Sequence, residues 1–278
     1  MKATSAVAGL LALLMAGPAR AAEPQIPNFW DLKERIVRPS LDGLQRLRFL
    51  TTLDFPPFSY LDASGRLAGF HVDLARRICA ELDLGAACQI QALPFAELEE
   101  ALDRGDGEAI LAGMAITPET RQRLVFTRPY LQFPARFVAP RAARLTEPLT
   151  QSLDGKRVGV VAGSAHERLL RAYFPMIRPV TYARAEWLTD DLKAAKLDAG
   201  FGDGMRLAFW LAGAGSENCC RFAGGPYLAP EYLGLGLAIA VKPEDTQLAN
   251  AFNYALKEVQ AKGGFAELYL RYFPVSFF

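Results

Sequence analysis

The chain has 278 residues, 51% of them hydrophobic and 22% charged, with a formal charge of +1. So even a balance gives no electrostatic footprint for nucleic acid, and none is expected as a partner. The apolar share is enough for a large core, and the length favours two lobes over one.

At the N-terminus, Met1-Lys2 precedes an apolar run from Ala6 to Gly17, and Ala19-Arg20-Ala21 follows it. A charged start, a short apolar stretch and an A-x-A site make a signal peptide, with cleavage expected after Ala21. The run is too short to cross a bilayer. No cysteine follows it directly, so a lipid anchor is not expected and the mature chain is placed in the periplasm. Cleavage removes Lys2 and Arg20 and no acid, leaving a charge of −1. Residues 22–46 are polar and Pro-containing, with Trp30 as the large apolar anchor, and read as an arm packed on the first lobe.

A strand is expected over 47–52, followed by the aromatic segment Asp54-Phe55-Pro56-Pro57-Phe58-Ser59-Tyr60 and a turn at Asp62-Ala63-Ser64-Gly65. Apolar residues at helical spacing predict a helix over 72–82, near Asp73. A strand over 87–93, a helix over 95–104 and a strand over 108–114 come next. Thr117-Pro118-Glu119 has the composition of a helix start, with Thr117 as N-cap and Pro118 at the first position. The strand over 136–139 reads as the one that leaves this lobe.

After the Pro- and Arg-rich passage 140–148 the alternation restarts. Strands are expected over 157–161, 180–182 and 199–203, and helices over 165–173, 185–195 and 205–212. A strand over 235–241 returns to the first lobe, and helices over 245–262 and 265–272 close the chain. Alternating strands and helices predict α/β lobes with mostly parallel sheets. The lobes would be 47–138 with 236–278, and 139–235, joined by a two-strand hinge that lets them close on a ligand.

Four cysteines are present. Cys79 and Cys88 bracket a helix end and a strand start, a place for a local staple in an oxidising compartment. Cys219 and Cys220 are adjacent, and a vicinal bridge and two free thiols are both open. His71 and His166 lie far from these cysteines in sequence and no C-x-x-C occurs, so no metal site is expected.

Several motifs occur in a fixed order: Pro56-Pro57-Phe58-Ser59-Tyr60, Gly69-Phe70-His71-Val72-Asp73-Leu74-Ala75, Gly113-Met114-Ala115-Ile116-Thr117-Pro118-Glu119 and Phe126-Thr127-Arg128-Pro129-Tyr130. Leu153-Asp154-Gly155-Lys156-Arg157-Val158-Gly159-Val160, Leu197-Asp198-Ala199 and Gly236-Leu237-Ala238-Ile239-Ala240-Val241-Lys242 continue the series. In this order, over 47–275, the chain resembles bacterial extracellular solute-binding proteins of family 3. The resemblance implies the type II periplasmic-binding fold and a receptor that hands amino acids to an inner-membrane ABC permease. It also implies a Cys79–Cys88 bridge, since the family often has a cysteine pair there.

The same resemblance supplies candidate ligand contacts. Phe55 matches an aromatic that covers the ligand side chain, and Phe95 a cleft position that is often aromatic. Gly113 matches the segment that holds an α-carboxylate. Ala115 stands at that segment's hydroxyl position and Thr120 at the place of an arginine, with Arg121 next in the chain. In the second lobe Ser164, Ala165 and His166 match a helix start that offers amides, and Asp203 matches the residue that pairs with the α-ammonium. Each has a plainer role beside this one: core packing for Phe55 and Phe95, a helix cap for Thr117 and Asp203, a solvated surface position for His166. Tyr60 and Tyr130 read as packing residues.

No nucleophile motif, phosphate loop or metal spacing occurs, and no cofactor is expected. The leading expectation is a monomeric periplasmic receptor for a small polar solute, an amino acid or related amine or carboxylate. The alternatives are a ligand sensor docked to a membrane protein and a cyclohexadienyl-dehydratase-like enzyme on the same scaffold. The enzyme would need a cleft acid with a raised pKa, and Asp203 is the one obvious candidate.

Overall fold

A computed structural model describes residues 26–278; the expected signal peptide lies outside the described residues. Strands β1 (Leu47–Thr51), β2 (Asp54–Phe55), β3 (Ser59–Leu61) and β4 (Leu67–Ala68) come first, followed by helix α1 (Phe70–Glu81). β5 (Cys88–Ala92), α2 (Leu98–Arg104), β6 (Ala109–Ile110) and β7 (Val125–Phe126) complete the first run. The second run holds β8 (Ala135–Pro140), α3 (Leu149–Ser152), β9 (Arg157–Val161), α4 (Ala165–Tyr173) and β10 (Arg178–Tyr182). It continues with α5 (Ala185–Lys193), β11 (Ala199–Asp203), α6 (Gly204–Ala212), β12 (Cys220–Tyr227) and α7 (Pro230–Leu233). β13 (Ala240–Val241), α8 (Thr246–Ala261) and α9 (Gly264–Tyr272) end the chain.

Two five-stranded sheets result, ordered β5-β1-β6-β13-β7 and β10-β9-β11-β8-β12. In the first, β1 runs parallel to β5 and β6, while β13 is antiparallel to β6 and β7. The second repeats the plan: β9 is parallel to β10 and β11, and β8 is antiparallel to β11 and β12. The crossing strands thus supply the antiparallel ladders. β8, expected to leave the first lobe, is bonded on both sides within the second sheet. β12 is not among the expected strands, and its Gly224, Gly225 and Pro226 sit in an irregular stretch of this edge strand, where such residues are tolerated.

Period-2 alternation fills both faces of each sheet. Leu47 and Phe49 of β1 join the core under α1, α8 and α9, while Leu50 turns to the α2 side. Phe137 and Ala139 of β8 face α4, and Val138 faces α5 and α6. The crossings are bonded to each other: the Leu237 amide donates to the Leu131 carbonyl at 2.7 Å and the Tyr130 amide to the Leu237 carbonyl at 2.8 Å. This is the expected two-strand hinge.

α1 begins at Phe70, two residues before its predicted start. The Phe70 and His71 amides donate to the carbonyls of Pro57 (3.0 Å) and Phe58 (2.8 Å), so the Pro-Pro loop caps the first turn. Gly69, at φ +127°, permits that approach, because a Cβ there would collide with the Phe58 carbonyl. The small sheet β2-β3-β4 brackets this loop. Cys79 and Cys88 are bonded, tying α1 to β5, and Cys219 and Cys220 are bonded to each other.

The arm residues from Ile26 to Arg46 wrap the first lobe. Trp30 is buried, the Arg128 guanidinium lies 5.5 Å over its ring, and Arg38 donates to the Leu82 carbonyl at 2.9 Å. α6 belongs to both halves. Leu207 packs beside Val138 in the second lobe, while its neighbour Ala208 lies in the first-lobe core. The Gly204 amide donates to the Pro134 carbonyl of the crossing at 2.9 Å, leaving no room for a side chain.

Candidate functional site

The parallel strands β9 and β11 end side by side, so the helices that follow them start at one edge of the sheet. Ligands bind at such carboxyl edges. A cavity of 400 Å³ opens there, within the usual size of a small-molecule site. Ser164, His166, Asp203 and Arg206 supply polar groups, and Leu207 and Trp210 apolar wall.

Asp203 ends β11 and caps α6: its Oδ1 accepts from the Arg206 amide at 2.7 Å. The expected cap role is therefore present. Its second oxygen has no protein partner among the described residues, so the cap leaves an acceptor open. Ser164 caps α4, its hydroxyl accepting from the Glu167 amide (3.1 Å) and donating to the Val161 carbonyl (2.7 Å). Glu167 reaches back to the Gly163 amide at 2.7 Å, a reciprocal arrangement close to a capping box. That amide, followed by Arg171, holds the Glu167 carboxyl below the usual range.

Ala165 opens α4 beside Ser164. His166, in the first turn, is half-buried, its ring edge-on to Phe201 at 6.4 Å. Burial lowers its pKa, and the Asp203 charge opposes that shift. The expectation of a solvated surface residue does not hold.

On the first lobe the candidates form a separate group. Phe55 stacks on Phe58 with centroids 4.6 Å apart. Gly113, at φ +76°, lies against its ring edge, where a Cβ would come within 2.9 Å. Phe95 is 49% exposed at the start of a short turn. The Thr120 hydroxyl donates to the Ala115 carbonyl at 2.7 Å and accepts from the Thr117 amide at 2.9 Å. Thr117 in turn accepts from the Thr120 amide at 3.2 Å, the bond of an N-cap, although the regular turn starts only at Thr120 and has Glu119 in the cap position. Thr120 thus spends its hydroxyl on its own turn. Arg121 is exposed, and its guanidinium has no partner among the described residues.

The 400 Å³ cavity therefore gathers Ser164, His166 and Asp203, with none of Phe55, Phe95, Gly113, Ala115, Thr120 or Arg121 in its lining. Sequence reading missed Leu207 and Trp210, although they follow Asp203 at i+4 and i+7 and so share its helix face. It also missed Arg206, whose guanidinium pairs with Glu186 at 2.7 Å across the rim. Both members are over 60% exposed, so the pair adds little to stability.

The model of bacterial extracellular solute-binding proteins, family 3, matches residues 47–275. The chain belongs to this family. An L-arginine-binding protein of Pseudomonas aeruginosa is 33% identical over 79% of the chain and 84% of its own length. ABC transporter arginine-binding protein 1 of Escherichia coli is 29% identical over 83% and 91%. Among solved structures, the L-cystine solute receptor of Neisseria gonorrhoeae in the unliganded open conformation superposes with a TM-score of 0.71 at 18% identity, over 89% of this chain and 98% of that one. That likeness shows the fold, the two-lobed type II periplasmic-binding architecture. The two sheets place the two groups of candidates on different lobes.

Proposed function

We propose that this chain captures a small solute bearing an ammonium or guanidinium group, an amino acid or related amine, between its lobes. It delivers that solute to an inner-membrane ABC permease, acting as a monomer in the periplasm after its signal peptide is cleaved. The arginine-binding relatives support the solute class. The observation that carries the reading is the open oxygen of Asp203 at the cavity, an anion held in place by its own cap. A charge-assisted contact to it is worth about 1.5–3 kcal/mol, or roughly ten- to a hundredfold in affinity.

The proposal is of binding without catalysis. Glu186 at the rim has its carboxyl held below the usual range, first by its own backbone amide and then by Arg206, which suits an ion pair and not a proton donor.

The test is calorimetric titration of refolded, ligand-stripped protein with arginine, lysine, ornithine and histidine. Asp203→Asn keeps a capping side chain and removes the charge. It is expected to lower affinity by ten- to a hundredfold with unfolding midpoints little changed. Equal affinity in the variant would reduce Asp203 to a cap.

A further inference from the structure

Around the cavity the chain has committed most of its own polar side chains. The Ser164 hydroxyl both donates to Val161 and accepts from Glu167. The Arg206 guanidinium is paired with Glu186. On the first lobe the Thr120 hydroxyl is turned to the Ala115 carbonyl. Ala115 and Ala165 carry no polar side-chain atom at all. Among the described residues one oxygen of Asp203 and the imidazole of His166 remain open, and so does the second oxygen of Glu186 at the exposed rim. Beside them stands the Trp210 indole, with Leu188 and Leu207.

Asp203, His166 and Trp210 suit an organic cation. A carboxylate oxygen attracts it, a neutral imidazole offers an acceptor, and an indole face binds an ammonium or guanidinium through its quadrupole. An anionic group entering the same cavity meets no unpaired side-chain cation, and it meets Asp203. We propose that the cavity selects its ligand by the cationic group and an adjoining apolar body, so that a carboxylate on the ligand adds nothing to affinity. The substrate class is then amines and guanidines, including those that correspond to basic amino acids without their carboxyl group. This rests on the reading of the chain as a solute receptor.

Matched pairs that differ only in the carboxyl group test it: arginine against agmatine, lysine against cadaverine, phenylalanine against phenethylamine, each titrated calorimetrically into ligand-stripped protein. In at least one pair the amine is expected to bind as tightly as its amino acid or more so. Trp210→Leu, which keeps the apolar volume without the indole face, should weaken the amine about tenfold. If the amino acids bind and exceed their amines tenfold or more, the proposal is overturned while the receptor reading stands. Loss of that advantage in Arg121→Ala would then assign the carboxylate to Arg121. If no member of any pair binds, the cationic-ligand reading of the site falls too.

Discussion

His71 illustrates how far a residue's surroundings decide its chemistry. Its Nε2 lies 2.7 Å from the Tyr130 hydroxyl in the first-lobe core, and its Nδ1 has no partner. Burial pushes its pKa down to about 3, so the native imidazole is neutral. The unfolded chain protonates this histidine below about pH 6.5, while the native state does not until about pH 3. Native stability is therefore present above the unfolded pKa and drains away as pH falls through that window, by up to about 1.4 kcal/mol per unit. Denaturant titrations at about pH 7 and about pH 5 should show wild type losing about 1–2 kcal/mol more than His71→Gln over that interval. Parallel losses in the two proteins would mean that His71 is not held neutral. None of this was visible in the sequence, where His71 reads only as a motif position. A lone histidine among apolar residues does not announce whether it is core or ligand.

At the scale of elements, legibility followed locality. α4 and β11 occupy the residues predicted for them, because the amphipathic period and the caps Ser164 and Asp203 are written in adjacent positions. β8 is legible as a strand leaving the first lobe, but its pairing with β11 and β12 is not, since local pattern does not choose the partner strand. β12 escaped because its glycines and proline carry a turn signature that only an edge position tolerates. The site divides in the same way. Asp203 was readable as a cap and Ser164 as part of a helix start, and both line the cavity, whereas the commitment of the Thr120 hydroxyl depends on a turn that sequence does not reveal.

The Cys79–Cys88 bridge closes a short loop between α1 and β5, with a sequence separation of 9. A loop of this size gives about 2–3 kcal/mol on the loop-entropy account. The double variant Cys79→Ala with Cys88→Ala should lower unfolding stability by about that amount in denaturant titrations. A variant as stable as wild type would show that the loop is already ordered without its staple.

Across the whole molecule, the two sheets share one plan and two crossings, and the candidate contacts are split between them. A ligand that engages Asp203 on one side and the Phe55–Gly113 wall on the other must draw the lobes together. Small-angle X-ray scattering on the ligand-stripped protein should give a radius of gyration that falls on saturation with a solute that binds. An unchanged radius would place the ligand wholly within the second-lobe cavity.

α6 adds a constraint of a different kind. In nine residues it carries a glycine pressed against the crossing, an alanine in one core, a leucine in the other, and the tryptophan of the cavity wall. Its sequence is read by three structures at once. A lineage that drifts toward a new solute through this helix alters, in the same substitution, the angle at which its halves rest. Diversification of taste is then less costly through α5, whose Ala185, Glu186 and Thr189 line the cavity away from the crossing.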